Sequence, residues 1–595
     1  RYPVDDPRKQ GPQQGPIDWS EFIKQAQQSG AGADFNKIKS RFSHLKKRTI
    51  IIAAVVLVLV LALAYWWFHP AINIQSIDLW GFLIVILALV TFVLFVFRQI
   101  YQTGMGKREK SPKKVKLFSG LMAIPIAIAV IGAVGWLASQ SFFPGNAEKY
   151  STVLVTEDAD FATDIPEVNY SEVPFIDKDS AILLGNRTMG TMADYVSQFE
   201  ISDLYSQINY KGQPVRVSPL NYADFFKWWA NKDGGIPAYV IVNMSTQDTE
   251  IVRLENPIRY SDSDPFFYNV DRHVQLSHPF YMFDEKSFEI NDDGEPFWIY
   301  PVQKRTIGLF GGTTIQRVVL CNASTGECQD YAIEDVPQWV DRAYPAELLI
   351  EQYNWSGALS GGWINSWLGQ NGVKQTTPST DGKSGFNYIA QDDDVWVYSG
   401  VTSATADNSI IGCVMINQRT AESKFYSVAG ATEESAMRSA EGQVQHLQYD
   451  ATFPLLINVD GQPTYFMALK DAAGLVKMYA MVDIQRYQNV AVGDTLAATE
   501  KSYKQLLVNQ GINVGGSDAS AHPSAGSTSG TIASISPVVL DGNSHYYLIL
   551  DGQQAIFDCP VASVVDVVRY KVGDVIVLNH GSSEGNVVLV DSIGE

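Results

Sequence analysis

The chain has four cysteines in 595 residues, far too few for a fold held by disulfides, so an apolar core must carry its stability. It has eight histidines and no H-E-x-x-H pattern. His273 and His278 lie five apart with no carboxylate partner at helical spacing, which argues against a metal site there. Ala358, Ser360 and Gly362 miss the G-x-S-x-G nucleophile elbow at its first position, inside a Gly-rich stretch. Gly382, Lys383 and Ser384 lack the first glycine of a phosphate loop. Asp392, Asp393 and Asp394, and Asp262 with Asp264, offer the oxygen ligands calcium takes, but in no dedicated loop pattern, so solvated turns are the commoner outcome. On these grounds the sequence nominates no catalytic, cofactor-binding or metal-binding residue.

Charge is absent from three long apolar runs, at about 49–68, 79–97 and 117–138. A helix needs about 20 apolar residues to cross a hydrocarbon core roughly 30 Å thick. The runs therefore predict three transmembrane helices within residues 49–143. Trp66, Trp67, Trp80 and Trp136 stand near their ends, where amphipathic rings sit at a membrane interface. Basic residues cluster before the first run and between the second and third, whereas 69–78 has neither Lys nor Arg. The positive-inside rule then places the N-terminal tail, residues 1–48, in the cytoplasm and everything after 143 outside the plasma membrane. The chain opens on Arg1 and has no cleavable signal pattern, so the first run is expected to act as signal anchor. The 17 basic and 7 acidic residues up to Lys116 leave a charge of +10 there and −30 in the remainder. So acidic an exterior disfavours nucleic acid and leaves the lipid bilayer, other envelope proteins or self-association as partners.

Residues 144–516 read as an extracytoplasmic α+β domain with internal repetition. KGQPVRVSPL, DGEPFWIYPV and DGQPTYFMAL each open a strand with Gly, one residue, then Pro. A second signature joins pairs of apolar runs: Asn243 with Thr246 and Asp248, Asn322 with Thr325 and Glu327, Asn417 with Thr420 and Glu422. Asn and Thr side chains bond nearby backbone in such turns, so each predicts a hairpin loop. A degenerate fourth copy lies at 476–492, with Asp483 at the turn. Helices are predicted at 180–199, 222–231, 336–343, 433–445 and 492–510, and a strand at 153–155. A short helix is also predicted at 17–26.

The order of these elements resembles PepSY-type modules, best at 293–331, with Lys211 departing from the Asp of the other two copies. The resemblance implies a sheet packed on a helix and an extracytoplasmic interaction or inhibitory module. Residues 517–530 form a small-residue linker. The tail, 531–595, has five apolar runs with a helical stretch between the third and fourth, and looks like an OB-type β-barrel. Its Arg569 and Lys571 against eight acids argue against phosphate binding.

Cys321 and Cys328 flank the turn C-N-A-S-T-G-E-C, where a hairpin would place them face to face; a disulfide and two free thiols are both open. Cys413 and Cys559 read as buried thiols. Trp355, Trp363, Ile364, Trp367 and Leu368 form the candidate interaction surface, with Trp363 and Trp367 on one face of a short helix; capping of the core is the alternative. The expectation is a non-catalytic, membrane-anchored scaffold or binding protein of the cell envelope, with no cofactor. A subunit of a larger membrane complex and an enzyme acting on wall polymers or peptides are the alternatives.

Overall fold

The computed structural model describes residues 47–103, 111–170, 173–378, 385–391, 393–403, 409–509, 526–540, 543–561, 564–580 and 587–594. The helix expected at 17–26 lies outside them, as does the Gly382–Lys383–Ser384 stretch. They form two compact units. One comprises the segments up to Pro70 and Ile77–Val134; the other comprises Ala71–Ser76 and Gly135–Glu595.

The first unit is built from helices Lys47–Phe68, Ile77–Thr103 and Pro112–Ala138. Backbone groups in an apolar surround must bond within their own segment, which leaves a helix as the available form. Two helices, the second and third, are long and apolar enough to cross a membrane; in the first, the described side chains begin at Val55 and give a shorter apolar helix, Val55–Phe68. Apolar side chains along the second are bare, with Leu89 62% and Phe92 64% exposed. Surface of that kind calls for lipid or a partner. Gly132 meets the ring of Trp80, 2.7 Å from where a Cβ would sit, so a side chain there has no room.

The second unit contains four sheets of five, four, six and five strands in succession, each built on a four-strand antiparallel meander. The first runs Ser206–Tyr210, Gln213–Tyr222, Ile236–Asn243 and Thr249–Ile258. The second runs Ser287–Ile290, Pro296–Ile307, Gly311–Asn322 and Cys328–Ala332. The third runs Asn387–Gln391, Asp394–Ser403, Gly412–Asn417 and Ser423–Tyr426. The fourth runs Leu455–Val459, Gln462–Lys470, Val476–Asp483 and Val490–Gly493. Helices Lys178–Gly190, Val270–Ser277, Ala346–Leu359 and Glu433–Gln443 precede them in turn. The repeating unit is thus a helix followed by a four-strand meander, present four times.

The loop signature has a common geometry. Asn243 Oδ1 accepts from Ser245 N (2.8 Å) and Thr246 N (2.9 Å). Asn322 does so from Ser324 N and Thr325 N (both 3.0 Å), and Asn417 from Arg419 N (2.8 Å) and Thr420 N (3.0 Å). The Thr hydroxyl then accepts from the amide of the acidic residue, at 3.2–3.3 Å in all three. The residue before the acid is left-handed in each case: Gln247, Gly326 and Ala421. Asp483 repeats the device in the fourth sheet, accepting from Gln485 N (2.9 Å) and Arg486 N (3.2 Å). The Gly-x-Pro openings are two-residue turns at Lys211–Gly212 and Asp460–Gly461, both residues at positive φ, as a type I′ hairpin requires. Lys211 therefore adopts the same backbone as Asp460.

Three apolar cores join the sheets. The first, second and fourth share one, including Val217, Phe288, Trp298 and Phe466. The second and third share another with helix Ala346–Leu359, and the third and fourth a third with helix Glu433–Gln443. Each fully buried side chain such as Phe288 contributes about 1.5–3 kcal/mol.

Several predicted elements differ. The helix expected at 180–199 stops at Gly190, and Phe199–Ile201 is a strand. The helices at 222–231 and 492–510 begin later, at Phe225 and Leu496. Residues 336–343 are not helical: Pro337 has no amide proton, and the buried carboxylate of Glu289 accepts from Asp341 N (2.9 Å) and Arg342 N (3.1 Å). The strand expected at 153–155 lies at Thr156–Ala159, in parallel pairing with Ser423–Tyr426. The tail is a closed five-stranded barrel in the order one, two, three, five, four. Its first strand, Gly526–Leu540, begins inside the expected linker. The short helix Val565–Arg569 between its third and fourth strands is of the 3₁₀ type.

Residues 71–76 and 135–146 are worked into the sheets. Ile72 N donates to Pro279 O (2.6 Å) and Asn73 Nδ2 to Phe280 O (3.2 Å). The last turn of helix Pro112–Ala138 leaves carbonyls without helical partners. Asn146 Nδ2 donates to Ala138 O (2.8 Å) and Gln140 O (2.9 Å), and the Tyr150 hydroxyl to Ser139 O (2.7 Å). Ser139 Oγ accepts from Phe310 N at 3.0 Å.

Candidate functional site

The stretch singled out for its tryptophans divides in two. Helix Ala346–Leu359 ends before Gly361 and Gly362, and Gly362 turns left-handed. Asn365–Gly369 then forms a single π-helical turn, a form that recurs at functional sites. The Asn365 side chain closes it, accepting from Asn371 N (3.1 Å) and donating to Asn371 O (2.9 Å). This turn stacks Trp363 on Trp367, centroids 6.2 Å apart and planes at 18°. Ile364, Trp367 and Leu368 are 66–69% exposed and Trp363 38%. Trp355 stays behind on the preceding helix, half-buried, its ring 4.9 Å from Tyr150 and edge-on to it. It belongs to a small core with Ile307 and Leu359, so the core-capping alternative holds for Trp355 and not for the other four.

The surface extends further than the tryptophan run. Phe142 meets Trp363 edge-on at 6.0 Å, and Phe142 and Phe143 are themselves about half exposed. Phe142 is four residues beyond Ala138, the last residue of an apolar helix. The aromatic pair at 142–143 was the available sequence signal for this extension. A cavity of ≈ 330 Å³ has Trp355, Tyr150, Arg305 and Glu351 in its wall.

A second cluster joins residues the sequence left apart. Cys321 and Cys328 are directly opposed in register. Asn322 N bonds Glu327 O at 2.9 Å, so the cysteines form the next, non-hydrogen-bonded pair, whose Cα atoms approach to about 4.5 Å. Both are free thiols in this structure. His273, from helix Val270–Ser277, completes a group whose ligand atoms lie within 4.8 Å of one another. Its Nε2 bonds Gly326 O at 2.8 Å; a carbonyl only accepts, so Nε2 carries a proton. The Tyr260 ring packs 4.3 Å from the imidazole and covers Gly326, where a Cβ would come within 2.3 Å of it. The hydrogen bond from Cys321, then that from His273, hold the Cys328 thiol below the ordinary range, and the same contact pushes Cys321 up. A thiolate pair with imidazole is the donor set soft or borderline metal ions take, and equally the arrangement of a reactive dithiol. His278 lies outside this group, stacked on Tyr281 at 5.3 Å.

Of the acidic candidates, Asp394, Asp264 and Asp262 are engaged by protein groups, and Asp392 lies outside the described residues. Asp394 accepts from Arg419 Nε (2.7 Å), Arg419 Nη2 (2.8 Å) and Asn417 Nδ2 (2.7 Å). Asp264 accepts from Trp228 Nε1 (2.7 Å) and two backbone amides. Asp262 pairs with Lys286 at 2.9 Å. Ser360 follows the end of a helix, the reverse of a nucleophile elbow. Cys413 and Cys559 are fully buried thiols.

No family model and no curated protein matches the chain. Among solved structures, a mutant of Synechocystis apocarotenoid oxygenase aligns at 10% identity and a TM-score of 0.16, over 52% of this chain and 67% of that one. The cobalt-substituted form of the same oxygenase aligns at 7% identity and 0.12, over 50% and 52%. Likeness at that level carries no argument about fold or function.

Proposed function

We propose that the protein is a membrane-anchored, non-catalytic scaffold of the cell envelope, whose exposed aromatic surface seats it against the bilayer interface. One observation carries this reading. Phe142, Phe143, Trp363, Ile364, Trp367 and Leu368 form one exposed apolar surface, and the chain enters it four residues after an apolar helix ends. Tryptophan and phenylalanine rings in that position favour the headgroup level. On this reading helix Lys47–Phe68 is a third span, the N-terminus is cytoplasmic and the sheets lie outside. The PepSY-type resemblance is supported by the order of helix then antiparallel strands, and the OB-type reading of the tail by its strand order. The repeated sheets and the acidic barrel would then present surfaces to other envelope proteins or wall material.

The test uses the full chain in nanodiscs with brominated lipids. Brominated acyl chains near the headgroup should quench the emission assigned to Trp363 and Trp367, by comparison with W363F and W367F variants. Equal quenching in wild type and the double variant would sink the interfacial reading. Protease added to intact cells should remove the sheets and barrel; protection of both would overturn the orientation.

A further inference from the structure

Where the first, third and fourth sheets approach one another lies a cavity of ≈ 170 Å³, with Arg216 and Tyr388 in its wall. Arg216, on strand Gln213–Tyr222, is only 6% exposed. Its guanidinium has no hydrogen-bond or ion-pair partner among the described residues, and its Nε is completely enclosed without one. The guanidinium stands over the face of Tyr388, 5.9 Å from the ring centroid. A buried arginine is ordinarily matched by a carboxylate or by several carbonyls, because an unpaired buried charge is costly. Here burial draws its pKa down to about 10, only partly offset by Tyr388, Asp177 and Asp179.

The nearby groups deepen the imbalance. Arg342 is close enough to repel Arg216, and its own Nε is also enclosed without a partner. Asp177 and Asp179 are the acids that act on Arg216 from a distance, and neither bonds it. Asp177 is held by Lys470 and by Ser180 N at 3.0 Å. Glu289 accepts from Asp341 N, Arg342 N and the Ser287 hydroxyl. The Tyr388 hydroxyl makes no hydrogen bond among the described residues and is a further donor. The rest of the wall carries Phe175, Phe386, Phe453 and Phe466, with Lys178 and the engaged carboxylate of Asp177 among its polar groups. A cation, a hydroxyl donor and aromatic rings in one wall match a ligand that joins an oxyanion to a small apolar body.

We infer that the cavity between Arg216, Tyr388 and the phenylalanine wall is a binding site for a small organic oxyanion, a carboxylate or phosphate ester on an apolar body. Arg216 supplies a forked pair of donors, Tyr388 a third, and Arg342 adds positive charge behind them.

The experiment is calorimetric titration of the full chain in detergent micelles with benzoate, phenyl phosphate and, as a neutral isostere, benzamide. Saturable binding of benzoate or phenyl phosphate at one site per chain is expected, and which of the two binds identifies the oxyanion. R216Q should weaken it at least tenfold and Y388F several-fold. Absence of saturable binding by both anions, benzamide binding as well as benzoate, or an undiminished R216Q would each overturn the inference. Thermal unfolding in anion-poor buffer provides a second reading. R216M should melt at or above the wild type, because the unpaired charge is gone, and should lose the upward shift that benzoate gives the wild type. R216M melting well below the wild type would show Arg216 to be a structural strut and would overturn the site.

Discussion

Cys321 faces Cys328 across the pair of positions that closes a hairpin loop, where the first sheet has Val242 opposite Thr249 and the third has Ile416 opposite Ser423. The loop needs no cysteine for its geometry, since the same hydrogen bonds form in all three. The thiols are an addition to the second sheet, placed under His273.

That placement predicts selective chemistry. Cys328, held below the ordinary thiol range, should be the first of the four cysteines to be alkylated near neutral pH. Its rate should fall as acid protonates the thiolate. H273A should move the midpoint of that fall upward, because one stabilising hydrogen bond is lost. Mild oxidation should join Cys321 and Cys328, read as a peptide pair two hydrogens lighter in mass spectrometry, with Cys413 and Cys559 untouched. Alkylation of all four at one rate would contradict this account.

Trp355 and Trp367 should behave oppositely on truncation. W355A removes the ring packed on Tyr150 and is expected to cost about 3 kcal/mol. W367A, on an exposed ring, should stay within about 0.5 kcal/mol in detergent. Chemical denaturation of the two variants distinguishes them.

Asn243 accepts two amide protons in its loop, at 2.8 and 2.9 Å. N243A leaves both without that acceptor and should destabilise the first sheet by about 1–2 kcal/mol, while N243D, which keeps an acceptor, should cost less. Hydrogen exchange of Ser245 and Thr246 amides is the direct measurement, and unchanged protection in N243A would refute the role.

Glu433 is 1% exposed, accepts from Gly400 N at 2.6 Å, and has its second oxygen enclosed without a partner. Burial raises its carboxyl above the ordinary value. The folded state therefore holds this proton more tightly than the unfolded chain, and stability falls as pH rises from the unfolded value through the folded one. E433Q should remove that part of the pH dependence and match or exceed the wild type at pH 8. A wild type that gains stability relative to E433Q on going from pH 5 to 8 would reverse the sign and refute it.

The repeat was legible because its loops rest on side-chain chemistry: Asn, Thr and an acid at fixed spacing must bond the turn's own amides. Its number was less so, since the fourth copy substitutes Asp483 for Asn and lengthens the loop. Helix Ala346–Leu359 escaped notice because Pro345 precedes it and no side chain caps its start. Residues 336–343 looked helical by pattern, yet Glu289, some fifty residues upstream, claims their amides. The His273–Cys321–Cys328 group and the Arg216 cavity each gather residues from separate elements. No local spacing encodes such meetings. The exposed tryptophans were legible as a surface, whereas Trp355 needed the position of Tyr150 to be reassigned.

The hydrogen bonds from Ile72 to Pro279 and from Asn73 to Phe280, with Ser139 between Tyr150 and Phe310, bear on how the molecule can be divided. The second compact unit is not one continuous stretch of sequence. A fragment beginning at residue 144 would lack a strip of its own wall, Ser139 included, and leave the Tyr150 hydroxyl and the Phe310 amide unsatisfied. A soluble version has to graft 71–76 and 135–146 back in, for example by circular permutation, rather than simply discard what precedes residue 144.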